Sequence, residues 1–351
     1  MSETTHTRVF LPPPPQEATG EALIEAFLEF KQVNQGRSSR TTERYSLALR
    51  RLLTFLNGRS LESASTDDLT LFSGKWLFEQ GLKDPVSRKP CVAAVREFYK
   101  WLKNAGRISS DPGRAVPHPK FGRRLPRVMT LGQAEALMYA PDYSTFEGLR
   151  DATMIALLLG CGLRVSGLVG LNEGNIFFDN IGGRPRMILK TVEKGDKERQ
   201  QPVPEQADLL LRLYIDHPTL KEVDRALPNG DKVLFIATQN SYCPPHEWHG
   251  AKRRLHRQAV HRMVTRYGAR VGLPPAVTHP HALRHLFGTE LAEDDVPTVT
   301  AANLMGHEDP KTTKIYQHLA MRKLAATVDK SNPLSKIKTP ISSLLDQLTP
   351  R

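Results

Sequence analysis

Cysteine is scarce in this 351-residue chain: Cys91, Cys161 and Cys243 are an odd count at wide spacing. Neither a disulfide framework nor a paired-cysteine metal site fits them, and a reducing, cytoplasmic setting is expected. No apolar run reaches the roughly 18 residues that a membrane span needs. The longest, residues 154–159 with their neighbours, suits a buried helix. The N-terminus lacks the charged-then-apolar order of a secretory signal. A phosphate-cradling P-loop and an internal repeat are also missing.

Positive charge is abundant. Lys and Arg number 49 against 37 Asp and Glu, giving a net charge of +12 and a sequence pI of about 9.7. Such an excess draws a protein toward polyanions, nucleic acid first among them. Charge alone does not separate that reading from a soluble protein that happens to be basic. The length fits two domains, each with a core of its own.

The pattern along the chain supports two domains. Residues 1–20, with Pro12, Pro13, Pro14 and Pro15, read as a disordered tail. Residues 21–110 read as a small helical bundle. Leu23, Ile24, Phe27, Leu28 and Phe30 form one apolar stripe; Tyr45, Leu49, Leu52, Leu53 and Leu56 form a second. The other face of that second helix carries Arg44, Arg50 and Arg51. Thr66 fits an N-cap, with Asp67 and Asp68 in the first turn where the helix dipole favours acids. A last helix carries Val92, Val95, Phe98, Tyr99 and Leu102 and stops at Gly106.

Residues 111–126 hold Pro112, Pro117, Pro119 and Pro126 among Arg114, Lys120, Arg123 and Arg124. Proline at this density prevents a continuous helix, so an exposed basic linker is expected. Residues 127–326 then form a second, mainly helical domain with a short β interlude. Residues 187–192 read as a strand, residues 200–204 as its return, and Lys194 sits in the polar turn between them. Residues 233–237 suggest another short strand, and the chain is helical again after Lys252. Residues 327–351 read as a tail with a short helix at 341–348.

Four segments carry potential chemistry. In Gly160-Cys161-Gly162-Leu163-Arg164-Val165-Ser166-Gly167-Leu168, an apolar helix runs into a glycine turn that presents an arginine. The hairpin turn Glu193-Lys194-Gly195-Asp196-Lys197-Glu198-Arg199 presents a lysine. In Thr278-His279-Pro280-His281-Ala282-Leu283-Arg284-His285, His281 and Arg284 share one helix face. His281 and His285 have metal-ligand spacing, but Ala282 stands where a zinc hydrolase needs glutamate, and Arg284 between them repels a cation. In Met305-Gly306-His307 and the nine positions that lead to Tyr316, Gly306 ends one helix and Pro310 opens the next. Taken singly, each has a plain alternative: a capping arginine, a solvated lysine, a core tyrosine.

In order, spacing and flanking sequence, the four together resemble the tyrosine recombinase (lambda-integrase-like) family, especially its Xer-like branch. The resemblance spans roughly residues 21–320. It implies a mainly α fold with a small β-sheet, an N-terminal helical core-binding (SAM-like) domain, and a tyrosine-recombinase catalytic domain. It implies catalytic roles for Arg164, Lys194, His281, Arg284 and His307, with Tyr316 as nucleophile. The pattern departs from the family at Gly167, where many relatives carry glutamate. It departs again at residues 216–250, which are longer than the usual connection, and in the long tail beyond Tyr316.

The implied chemistry suits the residue types. A phosphodiester resists attack because its oxygens are negative and its leaving alkoxide is poor. Two planar guanidinium forks, Arg164 and Arg284, can hold the non-bridging oxygens and stabilise a pentacoordinate transition state. Tyr316 would attack, His281 would take its proton, and His307 would donate a hydrogen bond to the phosphate. Lys194 would protonate the leaving 5′ oxygen. The 3′-phosphotyrosine link conserves bond energy, so neither metal nor ATP nor any other cofactor is expected.

The expected partners are double-stranded recombination sites, further copies of this chain (a tetramer on DNA) and accessory DNA-binding proteins, with no membrane. Arg44, Arg50, Arg51, Lys120, Arg123, Arg124, Lys197 and Arg199 are the expected DNA contacts. Rival readings are a binding protein that does not cut, a topoisomerase with the same tyrosine chemistry, a nucleoid-type structural protein, and a metal hydrolase built on His246, His249, His279, His281 and His285. The sequence does not choose among integration, transposition and resolution.

Overall fold

The structure is a computed structural model that describes residues 19–119, 127–193, 197–240, 242–294, 296–306 and 325–341. It divides into two compact units, Met1–Arg124 and Leu125–Arg351.

The first unit is helical. Its elements are α1 (Gly20–Val33), α2 (Ser39–Leu56), α3 (Thr66–Leu71), α4 (Leu77–Glu79) and α5 (Pro85–Asn104), with a π-helical turn at Phe72–Trp76 between α3 and α4. The apolar stripes meet in one core, where Leu23, Ile24 and Phe27 pack with Leu49, Leu52, Val92, Val95 and Phe98. The ring of Phe27 lies edge-on to Phe98, with centroids 5.3 Å apart. Asn57 closes α2 in the left-handed region, and Gly106 follows α5 at φ 71.

Two expectations for this unit are corrected. The N-cap of α3 is Ser65, whose side chain accepts from the Asp68 amide while Asp68 returns the bond to the Ser65 amide. Thr66 is the first helical residue, and its hydroxyl donates to the Pro112 carbonyl instead. The same contact bears on the linker. Residues 111–116 fold back onto the bundle: Val116 is fully buried in the helical core, and Arg96 Nη1 donates to its carbonyl at 2.6 Å. Proline density correctly excluded a helix there, but exposure does not follow from lack of helix.

The second unit is built around α7 (Phe146–Gly160), buried along nearly its whole length. Around it lie α6 (Leu131–Met138), α8 (Val165–Gly170), α9 (Glu205–Asp216), α10 (Pro218–Glu222), α11 (Arg257–Arg270), α12 (Pro280–Glu293) and α13 (Thr298–Met305). From Ala152 to Gly160 the helix is apolar on every side but for Thr153, and such a stretch must be surrounded by protein, which explains why α7 is central. Its charged pair is neutralised internally: Arg150 Nη2 lies 2.7 Å from Asp151, and Tyr267 and Arg266 of α11 donate to the other carboxylate oxygen at 3.1 and 3.3 Å.

The sheet has three antiparallel strands in the order β1 (Ile176–Ile181), β2 (Arg184–Glu193) and β3 (Lys197–Pro202). In β2 and β3 the register runs from Ile188↔Pro202 to Glu193↔Lys197. Strand β1 was missed in the sequence, although Gly182-Gly183 between two β-prone runs is a hairpin signal. The strand expected at 233–237 is reduced to isolated bridges, Asn172↔Val233 and Ile236↔Arg254.

The expected loose tail is corrected over its described part. Val328, Leu334, Ile337 and Ile341 are buried. Asp329 pairs with Arg186, and Lys336 bridges Glu290 and Asp294 at 2.5 and 3.1 Å. Leu334 lies so close to Gly160 that a Cβ there would sit 2.9 Å from it. Residues 325–331 are helical, and Pro333–Lys336 form a 3-10 turn capped by Asn332. Of the helix expected at 341–348, residues 342–348 lie outside the described residues. No described helix is long and apolar enough to cross a membrane.

Candidate active site

The end of α7 sets the first arginine. Gly162 follows the helix at φ +56, and a Cβ there would lie 2.3 Å from the Phe287 ring, so both conformation and space demand glycine. The turn leaves Arg164 as the residue that precedes α8. Gly167 lies on α8, and no described atom stands within 4 Å of where its Cβ would be. The second arginine, Arg284, is on the inward face of α12 and only 5% exposed.

Both arginines reach one place, the C-terminal end of α13. Arg284 donates to the carbonyls of Gly162 and Met305. Arg164 Nη2 donates to the Gly306 carbonyl at 3.2 Å. Gly306 ends α13 in the left-handed region, as its position before His307 suggests. A helix C-terminus carries unpaired carbonyls and the negative end of the dipole, and so attracts cations. Hence the two forks lie side by side at the turn into His307, with the end of α13 holding them in register.

The positive charge is concentrated. Burial pushes the Arg284 guanidinium down to about 9, and Arg164 and Arg199 add repulsion. It remains a cation at neutral pH. His281 is more exposed, one turn before Arg284 on α12. Partial burial holds its imidazole below the ordinary histidine range, and His279, His285, Arg284 and Arg164 act in the same direction. A neutral imidazole can accept a proton, as a general base must. His279 caps α12 by accepting from the Ala282 amide at 3.1 Å.

Lys194, His307 and Tyr316 lie outside the described residues, as do Lys120, Arg123 and Arg124. The strands β2 and β3 that carry Lys194 are in place, and Lys197 opens β3. Among the expected DNA contacts, Arg44 is exposed on α2. Arg50 is engaged by Glu21 and Glu25 at 3.1 and 2.9 Å, and Arg51 approaches the Cys91 sulfur at 3.8 Å.

Arg199 is a correction. It is 8% exposed, and its Nη1 donates to the Leu304 carbonyl at 2.7 Å. A guanidinium in that position faces the interior, so it is no surface contact to a phosphate. Among the described residues, no three His, Cys, Asp or Glu side chains are grouped to hold a metal ion. The thiol nearest the site, Cys161, is buried and pushed up to about 12, which makes it unreactive.

Residues 127–323 match the Phage integrase family, and residues 24–106 match the phage integrase N-terminal SAM-like domain. The chain belongs to the phage integrase family. Among curated relatives, Tyrosine recombinase XerD of Lacticaseibacillus casei is 30% identical over 311 residues, covering 89% of this chain and 98% of the relative. Tyrosine recombinase XerD of Pseudomonas aeruginosa is 32% identical over 306 residues, 86% of this chain and 94% of the relative. Among solved structures, the XerH site-specific recombinase bound to a palindromic difH substrate, a post-cleavage complex, shares the fold. Its TM-score is 0.61 at 17% identity, over 90% of this chain and 85% of that one. A lambda integrase tetramer bound to a Holliday junction matches at TM-score 0.60 and 17% identity, over 86% of this chain and 81% of that one. The helical first unit and the α7-centred second unit are thus the two parts of an integrase-family fold.

Proposed function

We propose that this integrase-family chain, a site-specific tyrosine recombinase that cleaves and rejoins DNA strands, uses Tyr316 as its nucleophile and Arg164 and Arg284 as its phosphate clamp. The observation that carries the assignment is the convergence of the two arginines, from α12 and from the residue before α8, on adjacent carbonyls just ahead of His307. Two forks at one point match the two non-bridging oxygens of a phosphodiester. Charge fixed in advance where the transition state becomes more negative lowers the barrier without reorganisation.

In this reading the Tyr316 oxygen attacks phosphorus and His281, kept neutral by burial and its cationic neighbours, takes the phenolic proton. His307 donates to the phosphate. The bond from phosphorus to the 5′ oxygen breaks, and Lys194 delivers the proton to that oxygen. Attack by a partner strand's 5′ hydroxyl reverses the steps and rejoins the DNA. The substrate is duplex DNA, and the working assembly is a tetramer on two paired sites, with accessory proteins as further partners.

The test is covalent trapping. Wild type and Tyr316→Phe are incubated in EDTA with nicked suicide substrates carrying a site the protein binds, then resolved on denaturing gels. The expected result is an adduct with wild type alone. Absence of an adduct on a bound site, or an adduct that persists with Tyr316→Phe, overturns the assignment.

A further inference from the structure

We infer that Arg199 is a positioning residue for strand cleavage: from β3 it fastens the hairpin arm that carries Lys194 to the C-terminal end of α13, at the turn into His307. The inference rests on the proposed roles of Lys194 and His307 and adds what holds those two parts in one frame.

Three arginines serve three successive carbonyls at the end of α13. Arg199 donates to Leu304 at 2.7 Å, Arg284 to Met305 and Arg164 to Gly306 at 3.2 Å. The first comes from the sheet. Within the sheet, Arg199 opposes Thr191, two rungs from the Glu193↔Lys197 pair that closes the arm. Two residues further on, on the same face of β3, Gln201 Nε2 donates to the Cys161 carbonyl at 2.8 Å. That carbonyl lies at the turn that presents Arg164. The inward face of β3 is therefore stitched at one point to the arm's partner helix and at a second to the glycine turn.

The chemistry of the choice is informative. Arg199 is a buried cation beside two others: burial pushes it down to about 10, the Cys161 side chain draws it part of the way back, and Arg164 adds a smaller repulsion. Burying a charge is costly, and an apolar side chain of similar volume is often neutral or better for stability. A guanidinium retained here is explained by what it does to its neighbours rather than by packing. It is long enough to cross from strand to helix end, and it stays charged at any working pH.

The experiment measures cleavage by Arg199→Met, Arg199→Lys and Lys194→Ala on two suicide substrates. One has the natural 5′ oxygen at the scissile phosphate; the other has a bridging 5′ sulfur there. When the phosphorus–sulfur bond breaks, the departing thiolate is stable near neutral pH and needs no proton, unlike an alkoxide. The Lys194 step thus becomes dispensable. Arg199→Met is expected to bind DNA within about 3-fold of wild type and to cleave the oxygen substrate about 100-fold more slowly, within the usual range for losing general acid catalysis. On the sulfur substrate its deficit is expected to shrink to under about 10-fold. Lys194→Ala shows the same dependence on leaving group, and Arg199→Lys recovers part of the loss. Equal deficits of Arg199→Met on both substrates, with Lys194→Ala rescued by sulfur, overturn the inference while the acid assignment stands. Failure of sulfur to rescue Lys194→Ala overturns the acid assignment, and the inference with it. If Arg199→Met does not melt cooperatively, Arg199→Lys decides: its smaller deficit must depend on the leaving group in the same way.

Discussion

In the first half of α7, Arg150 is buried against a carboxylate: its Nε and Nη2 reach Asp151 at 2.9 and 2.7 Å, and Nη1 takes the Ile236 carbonyl. At the end of α13, Arg284 is equally buried, yet the hydrogen bonds recorded for it run to two backbone carbonyls. The first arginine is neutralised and fixes α7 to its surroundings. The second keeps its charge, with two more arginines nearby. Partial charges of peptide groups orient a cation without cancelling it, so in the proposed reading a phosphate meets a guanidinium that is already aimed and, among the described residues, has no carboxylate partner recorded. Within one unit, the nature of the partner separates an arginine paired with a carboxylate from one held by backbone carbonyls, the one proposed to bind phosphate.

Exchanging the two kinds of partner breaks the comparison most severely at Arg284. Arg284→Met is expected to reduce cleavage by at least about 10³-fold, since loss of one preorganised donor typically costs 10²–10³-fold and this residue offers two. Its melting temperature should stay near that of wild type, because replacing a buried charge by an apolar side chain of similar volume is often neutral for stability. A matching loss of DNA affinity in a binding titration would show instead that Arg284 is merely adhesive. Asp151→Ala should behave in the opposite way. It strands Arg150 in the interior and costs about 3 kcal/mol or more of stability, seen as a lower denaturant midpoint. The protein that remains folded should cleave normally.

His281 offers a finer test. Burial and four cationic or potentially cationic neighbours depress its folded value below the ordinary range. The neutral base therefore persists as pH falls through 6.5, and cleavage is lost only as pH drops through the depressed value. Single-turnover rates across pH 4.5–8 should show that acid limb in wild type and lose it in His281→Gln. A limb at or above the ordinary histidine value would contradict the assignment. The smallest effect is expected in the first unit. Arg50→Ala removes two exposed ion pairs with Glu21 and Glu25 and should change stability by less than about 1 kcal/mol. If its effect on DNA affinity is also slight and insensitive to salt, Arg50 is not a phosphate contact.

Much of this was legible in the chain. The apolar stripes of α1, α2 and α5 and the apolar second half of α7 announce themselves in the sequence. The glycine before Arg164 and the glycine before His307 mark the two turns that the site needs. Less legible were features without a local period. Strand β1 is short and half exposed, and its turn was passed over. Residues 111–116 return to a core through the single anchor Val116, and residues 325–341 through Val328, Leu334, Ile337 and Ile341, whose partners are distant in sequence.

The sequence by itself determined the order and spacing of the arginines, histidines and tyrosine, and with them the family and its chemistry, because a reaction at phosphate demands those groups whatever surrounds them. Only the tertiary structure decided which acceptor each arginine meets. Arg199 and Arg284 are alike on paper, and Arg199 reads as one more surface cation after a hairpin. Its role depends on Leu304, 105 positions away, whose carbonyl is left open by the end of a helix. Which donor meets that acceptor is a matter of how strand and helix pack, and packing between distant segments leaves no mark in the neighbourhood of either one.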